Sequence, residues 1–185
     1  MKARIMQTAR KEIKRYGLRR FTMDDVAAHL AISKKTLYKF FTSKGELIHE
    51  ILKSDLEKEK EILQEAITNE GNWFDKLSAV FTLSGQNRVI SDLEQEIQIY
   101  FPEEQKEIND FREFQKEIIG QLLAEGFAKG EIEPWFDVDN LLTIILELIQ
   151  ISNKELVQPD ENGPSKNLLE EIKKLIFFGL IKRTW

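Results

Sequence analysis

The sequence predicts an all-α fold: an N-terminal three-helix bundle with a helix-turn-helix, then a helical C-terminal domain ending in a two-helix dimer interface. Three observations predict it. Apolar residues recur at three- and four-residue spacing through long charged segments. Between Thr22 and Ser43 three helix starts fall within 22 residues, each announced by a side-chain cap. A composition of 42% hydrophobic and 32% charged residues suits a real core under a helix-rich, solvated surface.

Residues 2–16 place Ile5, Ala9 and Ile13 on one stripe of an otherwise basic helix, with Gly17 as its natural C-cap. Thr22 followed by Asp25 and Ser43 followed by Glu46 have capping-box spacing: the hydroxyl accepts from a first-turn amide while the carboxylate reaches back to the cap amide. Ser33 is a plain N-cap for KKTLYKFF. The stripe of the first helix is expected to pack on Val26, Leu30, Leu37 and Phe41. Two short helices joined by Leu30-Ala31-Ile32 have helix-turn-helix geometry, whose second helix enters the DNA major groove. That second helix carries Lys34, Lys35, Thr36, Tyr38 and Lys39 and no acid.

A longer helix is predicted from Lys44 to about Thr68, broken by Asn69-Glu70-Gly71-Asn72. Further helices are predicted over about Trp73 to Asn87, around Asp92–Ile99 and from Glu103 to Phe127, the last followed by a two-glycine turn over Glu125–Pro134. Asp137 or Asp139 starts the next helix, which reaches about Asn153. Residues 158–165, QPDENGPS, read as an exposed loop, and Lys166 to about Arg183 as the last helix. Leu141, Ile145 and Leu148, with Leu168, Ile172, Leu175, Ile176 and Phe178, make these two helices apolar around most of their girth. Such helices need cover on two sides, and a second copy of the same pair would supply it, giving a homodimer; the alternative is a deep internal core in a monomer.

Charge is divided unevenly. Residues 1–46 hold 12 Lys and Arg against 4 Asp and Glu, a net of +8, whereas the whole chain is at -5. A cationic head on an anionic body suits a protein that touches phosphate with one end. The division expected is therefore a DNA-binding domain over 1–46 and a regulatory and dimerisation domain over 47–185. No run of 18 apolar residues offers a membrane span, the N-terminus has no apolar signal core, and there is no cysteine. His29 and His49 lack a His, Cys or paired carboxylate at ligand spacing, and no phosphate loop or nucleophile motif is present. No metal, cofactor or enzymatic activity is expected.

The run Phe21-Thr22, Asp25-Val26-Ala27, Ile32-Ser33, Thr36-Leu37-Tyr38, Phe41, Ser43-Lys44 and Glu46-Leu47 resembles the N-terminal domain of the tetracycline-repressor (TetR) family of bacterial transcription regulators. Ile5, Ala9, Ile13 and Tyr16-Gly17 fit the same pattern. The resemblance covers roughly the first 50 residues; beyond them it extends only to length and helical layout. Two positions depart from it: Ala31 stands in the turn where the family usually has Gly, and Phe40 stands where relatives often carry His or Tyr.

The resemblance implies a cytoplasmic repressor that binds a palindromic operator in double-stranded DNA as a homodimer and is released by a small-molecule effector. Lys34, Lys35 and Thr36 would reach base edges; Thr22, Ser33, Tyr38, Lys39 and Lys44 would hold phosphates. Trp73, Phe81, Tyr100, Phe114 and Trp135 are the candidate lining of an effector pocket, although aromatic residues at helical spacing more often build a core. The competing expectation is an architectural, chromosome-associated DNA binder that needs no ligand.

Overall fold

The structure is a computed structural model, and it describes residues 1–68, 71–83 and 88–155, together with 171, 174 and 175. The polar loop expected at 158–165 lies outside the described residues, as does all but three residues of the last predicted helix. The helices are α1 (Lys2–Arg20), α2 (Met23–His29), α3 (Lys34–Tyr38), α4 (Lys44–Thr68), α5 (Trp73–Leu83), α6 (Arg88–Tyr100), α7 (Gln105–Ala128) and α8 (Val138–Glu155).

The described chain divides into two compact units, Met1–Lys58 with Asp92–Asp110, and Glu59–Ser91 with Phe111–Trp185. The first contains all of residues 1–46 and adds α4 as far as Lys58, α6 from Asp92 and the start of α7 as far as Asp110. Its core is the predicted stripe of Ile5, Ala9 and Ile13 packed with Leu18, Phe21, Val26, Leu37, Phe41 and Leu47, all buried. Leu30 is only half-buried because it is the C-cap of α2. Arg10 makes a two-bond pair with the buried carboxylate of Asp55, tying α1 to α4 within this unit.

The second unit is centred on Trp73, Leu77, Val80 and Phe81 of α5, with Ile119 and Leu123 of α7 and Leu141, Ile145 and Ile149 of α8, all buried. Asn72 caps α5 by accepting from the Asp75 amide, and Asp137, of the two candidates, caps α8 by accepting from Asn140. Gly126, expected in a turn, lies inside α7. A Cβ there would sit 2.7 Å from the Trp73 indole and 2.8 Å from Ile132 Cδ1, so the glycine makes room for the largest buried side chain. The helix ends instead at Gly130, φ 68, where the Gly130 and Glu131 amides donate back to Phe127 and Gly126 carbonyls.

The same motif closes α2 without a glycine. Ala31 is at φ 52, the one non-glycine residue with positive φ among those described. Its amide donates to Ala28 O at 3.1 Å and that of Ile32 to Ala27 O at 3.0 Å. A left-handed alanine costs about 1–2 kcal/mol, and a glycine loses up to about 1 kcal/mol of that relief through its freer unfolded chain. Ala31→Gly is therefore expected to stabilise the chain by about 0.5–1 kcal/mol, read as a higher urea midpoint at unchanged slope.

Candidate nucleic-acid interface

Three caps aim the helices of the head. Thr22 Oγ1 accepts from the Asp25 amide at 3.2 Å while the Asp25 carboxylate accepts from the Thr22 amide at 3.0 Å, completing the predicted box. Ser33 Oγ accepts from the Thr36 amide at 3.0 Å and meets the Thr36 hydroxyl at 2.8 Å. At α4 the outcome differs from expectation in one bond. Ser43 Oγ accepts from Glu46 N at 3.0 Å, but Glu46 reaches past the cap to the amide and hydroxyl of Thr42. Thr42 offers two donors where the Ser43 amide offers one.

These carboxylates are acid-sensitive. The Thr22 hydrogen bonds hold Asp25 below the usual carboxylate range, and those of Thr42 do the same for Glu46. A depressed folded-state value contributes stability above the unfolded value, and that contribution disappears as pH falls through the folded one. A Thr22→Val, Thr42→Val chain is thus expected to melt below wild type at neutral pH, with the gap narrowing as the two carboxylates protonate in acid, and a remainder persisting because the Thr22 hydroxyl also caps α2. Melting curves from neutral to acid pH check it.

Helix α3 presents two contrasting faces. Leu37 is fully buried, and so is Phe41 just beyond the helix, while Lys34, Lys35, Tyr38 and Lys39 are exposed and Thr36 half-exposed. The inward pair holds the helix against the core; the outward set is what a duplex would meet. Lys34 pairs with Asp24 of α2 at 2.6 Å, a bond that raises its pKa above the ordinary lysine value and orders its long side chain beside the turn. Among the described residues Lys35 and Lys39 carry no ion pair. Phe40, 37% exposed, adds an apolar surface at the end of the set.

Lys44 is placed otherwise than expected. Its ammonium donates to Phe21 O at 2.8 Å and Arg19 O at 3.2 Å and lies 4.4 Å from the Phe21 ring centroid. Burial pushes its pKa below the ordinary lysine range, against the opposing attraction of Glu96. The carbonyls it meets belong to the last turn of α1 and to its C-cap Phe21, where no further turn supplies helical donors, so the head's own main chain occupies this lysine. The phosphate role foreseen for it does not rest on a free side chain.

The five aromatic residues foreseen around an effector differ in their surroundings. Trp73 and Phe81 are core; the Trp73 indole N–H donates to Glu131. Phe114 is half-buried with the Lys60 ammonium 5.7 Å from its ring. Trp135 is 72% exposed, and Tyr100, 44% exposed, belongs to the first unit. In the second unit a cleft of 380 Å³ lies between α4 and α5 beside Ile62, Glu65, Asp75 and Lys76, and none of the five lines it.

Helix α8 explains its own all-round apolar character. Leu141, Ile145 and Ile149 fill one stripe and are buried inside the second unit, whereas Ile144 (51% exposed) and Ile151 (43%) lie on another, with half-buried Leu148 between them. Leu141 and Ile145, foreseen at a subunit interface, are thus core, because the helix needs an inward stripe first. Leu175 is helical and 77% exposed; Leu168, Ile172, Ile176 and Phe178 lie outside the described residues. Among the described residues no group of His, Cys, Asp or Glu could hold a metal ion, and no helix is long and apolar enough to cross a membrane.

Comparison with known proteins agrees with this geometry. Residues 5–51 match the family described as "Bacterial regulatory proteins, tetR family". A stretch of 70 residues is 36% identical to the uncharacterized HTH-type transcriptional regulator YvaF of Bacillus subtilis, covering 38% of this chain and 36% of that one. Over 145 residues, 74% of this chain and 69% of the relative, it is 26% identical to the HTH-type transcriptional repressor KstR2 of Mycolicibacterium smegmatis. The fold is similar to that of the ketosteroid transcriptional regulator KstR2 of Mycobacterium tuberculosis, with a TM-score of 0.78 and 20% identity over 98% of this chain and 95% of that one.

Proposed function

We propose that this chain, a tetR-family transcriptional regulator, represses its target genes by binding an inverted-repeat operator as a homodimer and leaves it when a small molecule binds the C-terminal domain. The observation that carries the reading is the pair of faces on residues 34–41: Leu37 and Phe41 buried, lysines 34, 35 and 39 with Tyr38 exposed, in a head of net charge +8. Two such heads would meet successive major grooves about 34–36 Å apart. Lys35 and Thr36 would read base edges, Lys34 from its place beside Asp24; Thr22, Ser33, Tyr38 and Lys39 would hold backbone phosphates. The outer stripe of α8 would meet its twin across a two-fold axis, joined by the last helix.

Selection from a random duplex library is the test. A palindrome with half-sites about one helical turn apart is expected; enrichment of no sequence would refute the reading. The candidate aromatic residues are dispersed between core and surface. That dispersal favours, as the second reading, an architectural binder without a ligand. Occupancy across the genome separates the two: one or a few palindromes for a regulator, dispersed sites for an architectural protein.

A further inference from the structure

Residues 1–46 contain 4 acidic side chains, and all but one of them have a task inside the head. Glu12 is buried with its carboxylate 3.7 Å from His29 Nε2. Asp25 completes the capping box with Thr22, and Glu46 holds the amide and hydroxyl of Thr42. Asp24 is the remaining one. It is exposed on the first turn of α2, and its carboxylate meets the ammonium of Lys34, the first residue of α3, at 2.6 Å. The first turn of α3 holds Lys34 and Lys35 and no acid of its own. The anion beside the recognition face therefore comes from the neighbouring helix.

We infer that Asp24 is a positioning residue that sets DNA specificity: by holding Lys34, it withholds that cation from phosphates of any sequence and leaves it able to read a base edge. The inference rests on the proposed binding of DNA through α3. An ammonium has three N–H donors and Asp24 occupies one, so two remain for guanine O6 and N7. Those acceptors are neutral and can join the pair without breaking it. A phosphate is anionic, and at the same ammonium it meets the Asp24 carboxylate as a like charge. The pair is exposed and adds little to folding, so its effect falls on what Lys34 accepts. Attraction to phosphate binds DNA of every sequence. A charge that opposes it therefore raises the ratio of specific to nonspecific affinity.

The experiment compares wild type, Asp24→Asn, Asp24→Glu, Lys34→Ala and the double variant Asp24→Asn, Lys34→Ala. Each full chain is titrated at several salt concentrations with the palindrome selected by wild type and with an unrelated duplex of equal length. Asp24→Asn is expected to bind the unrelated duplex about threefold to tenfold more tightly, with a salt slope steeper by about one. On the palindrome it is expected to change by less than about twofold, so the ratio falls. Asp24→Glu, which keeps the carboxylate, stays near wild type. With Lys34 replaced by alanine, Asp24→Asn leaves slope and ratio unchanged, because no ammonium is released. An unaltered ratio in Asp24→Asn overturns the inference, as does the same gain without Lys34, which would mark a plain effect of net charge. An equal loss on both duplexes with a lower melting temperature also overturns it, marking a residue that merely starts α2. A wild-type chain that selects no palindrome overturns the proposed function, and this inference with it.

Discussion

Lys35→Ala is expected to weaken binding to the selected palindrome by roughly tenfold to a hundredfold and to relax base preference at one position in each half-site. The size follows from the loss of a base-edge contact, worth about 1–3 kcal/mol. Lys35 is the best single target because it is exposed on α3 and carries no ion pair among the described residues, whereas Lys34 is already bonded to Asp24. Lys39, at the end of the helix, is the control. Its removal is expected to weaken all duplexes alike and to lower the salt slope by about one. Titrations at several salt concentrations separate the two outcomes.

The second large effect is expected from Ile144→Glu combined with Ile151→Glu. Both residues are exposed on the outer stripe of α8, so the substitutions leave the core stripe of Leu141, Ile145 and Ile149 in place. Buried at a subunit interface, four unpaired carboxylates per dimer would split it. Sedimentation should then report a monomer at micromolar concentration, with helical content retained. Affinity for the palindrome should fall by at least about a hundredfold, since each head must bind alone. A dimer that survives both substitutions would place the subunit contact elsewhere.

The parts of this fold that could be read in advance are those set by neighbours in the chain. Thr22 with Asp25, Ser33 with Thr36 and the stripe of Ile5, Ala9 and Ile13 are local patterns, and the structure contains each of them. Ala31, which stands in the turn where the family usually has Gly, is at φ 52. The division of α3 into an apolar underside and a lysine-bearing face was legible for the same reason.

What sequence could not give was the destination of side chains that cross between helices. Lys44 looked like a phosphate ligand because nothing local reveals that carbonyls at Arg19 and Phe21 lie within its reach. Glu96 drew no notice in a helix rich in acids, although it reaches a backbone amide 77 residues away. Gly126 looked like a turn because the signal for a turn and the signal for a large neighbour are the same residue. The aromatic set is the plainest case: equal in the sequence, its members split between buried Trp73 and Phe81 and exposed Trp135 and Tyr100. Burial is decided by the whole fold.

Interference by methylated guanine bears most directly on the idea that residues 34–39 lie in the major groove. Guanine N7 faces that groove, so its methylation blocks a side chain from the base edge without altering phosphate charge. Inhibition is predicted at guanines in both half-sites, on one face of the duplex and about one helical turn apart, with at least one such position becoming silent in Lys35→Ala. Binding indifferent to major-groove methylation, or sensitive to it identically in wild type and Lys35→Ala, would contradict the assignment.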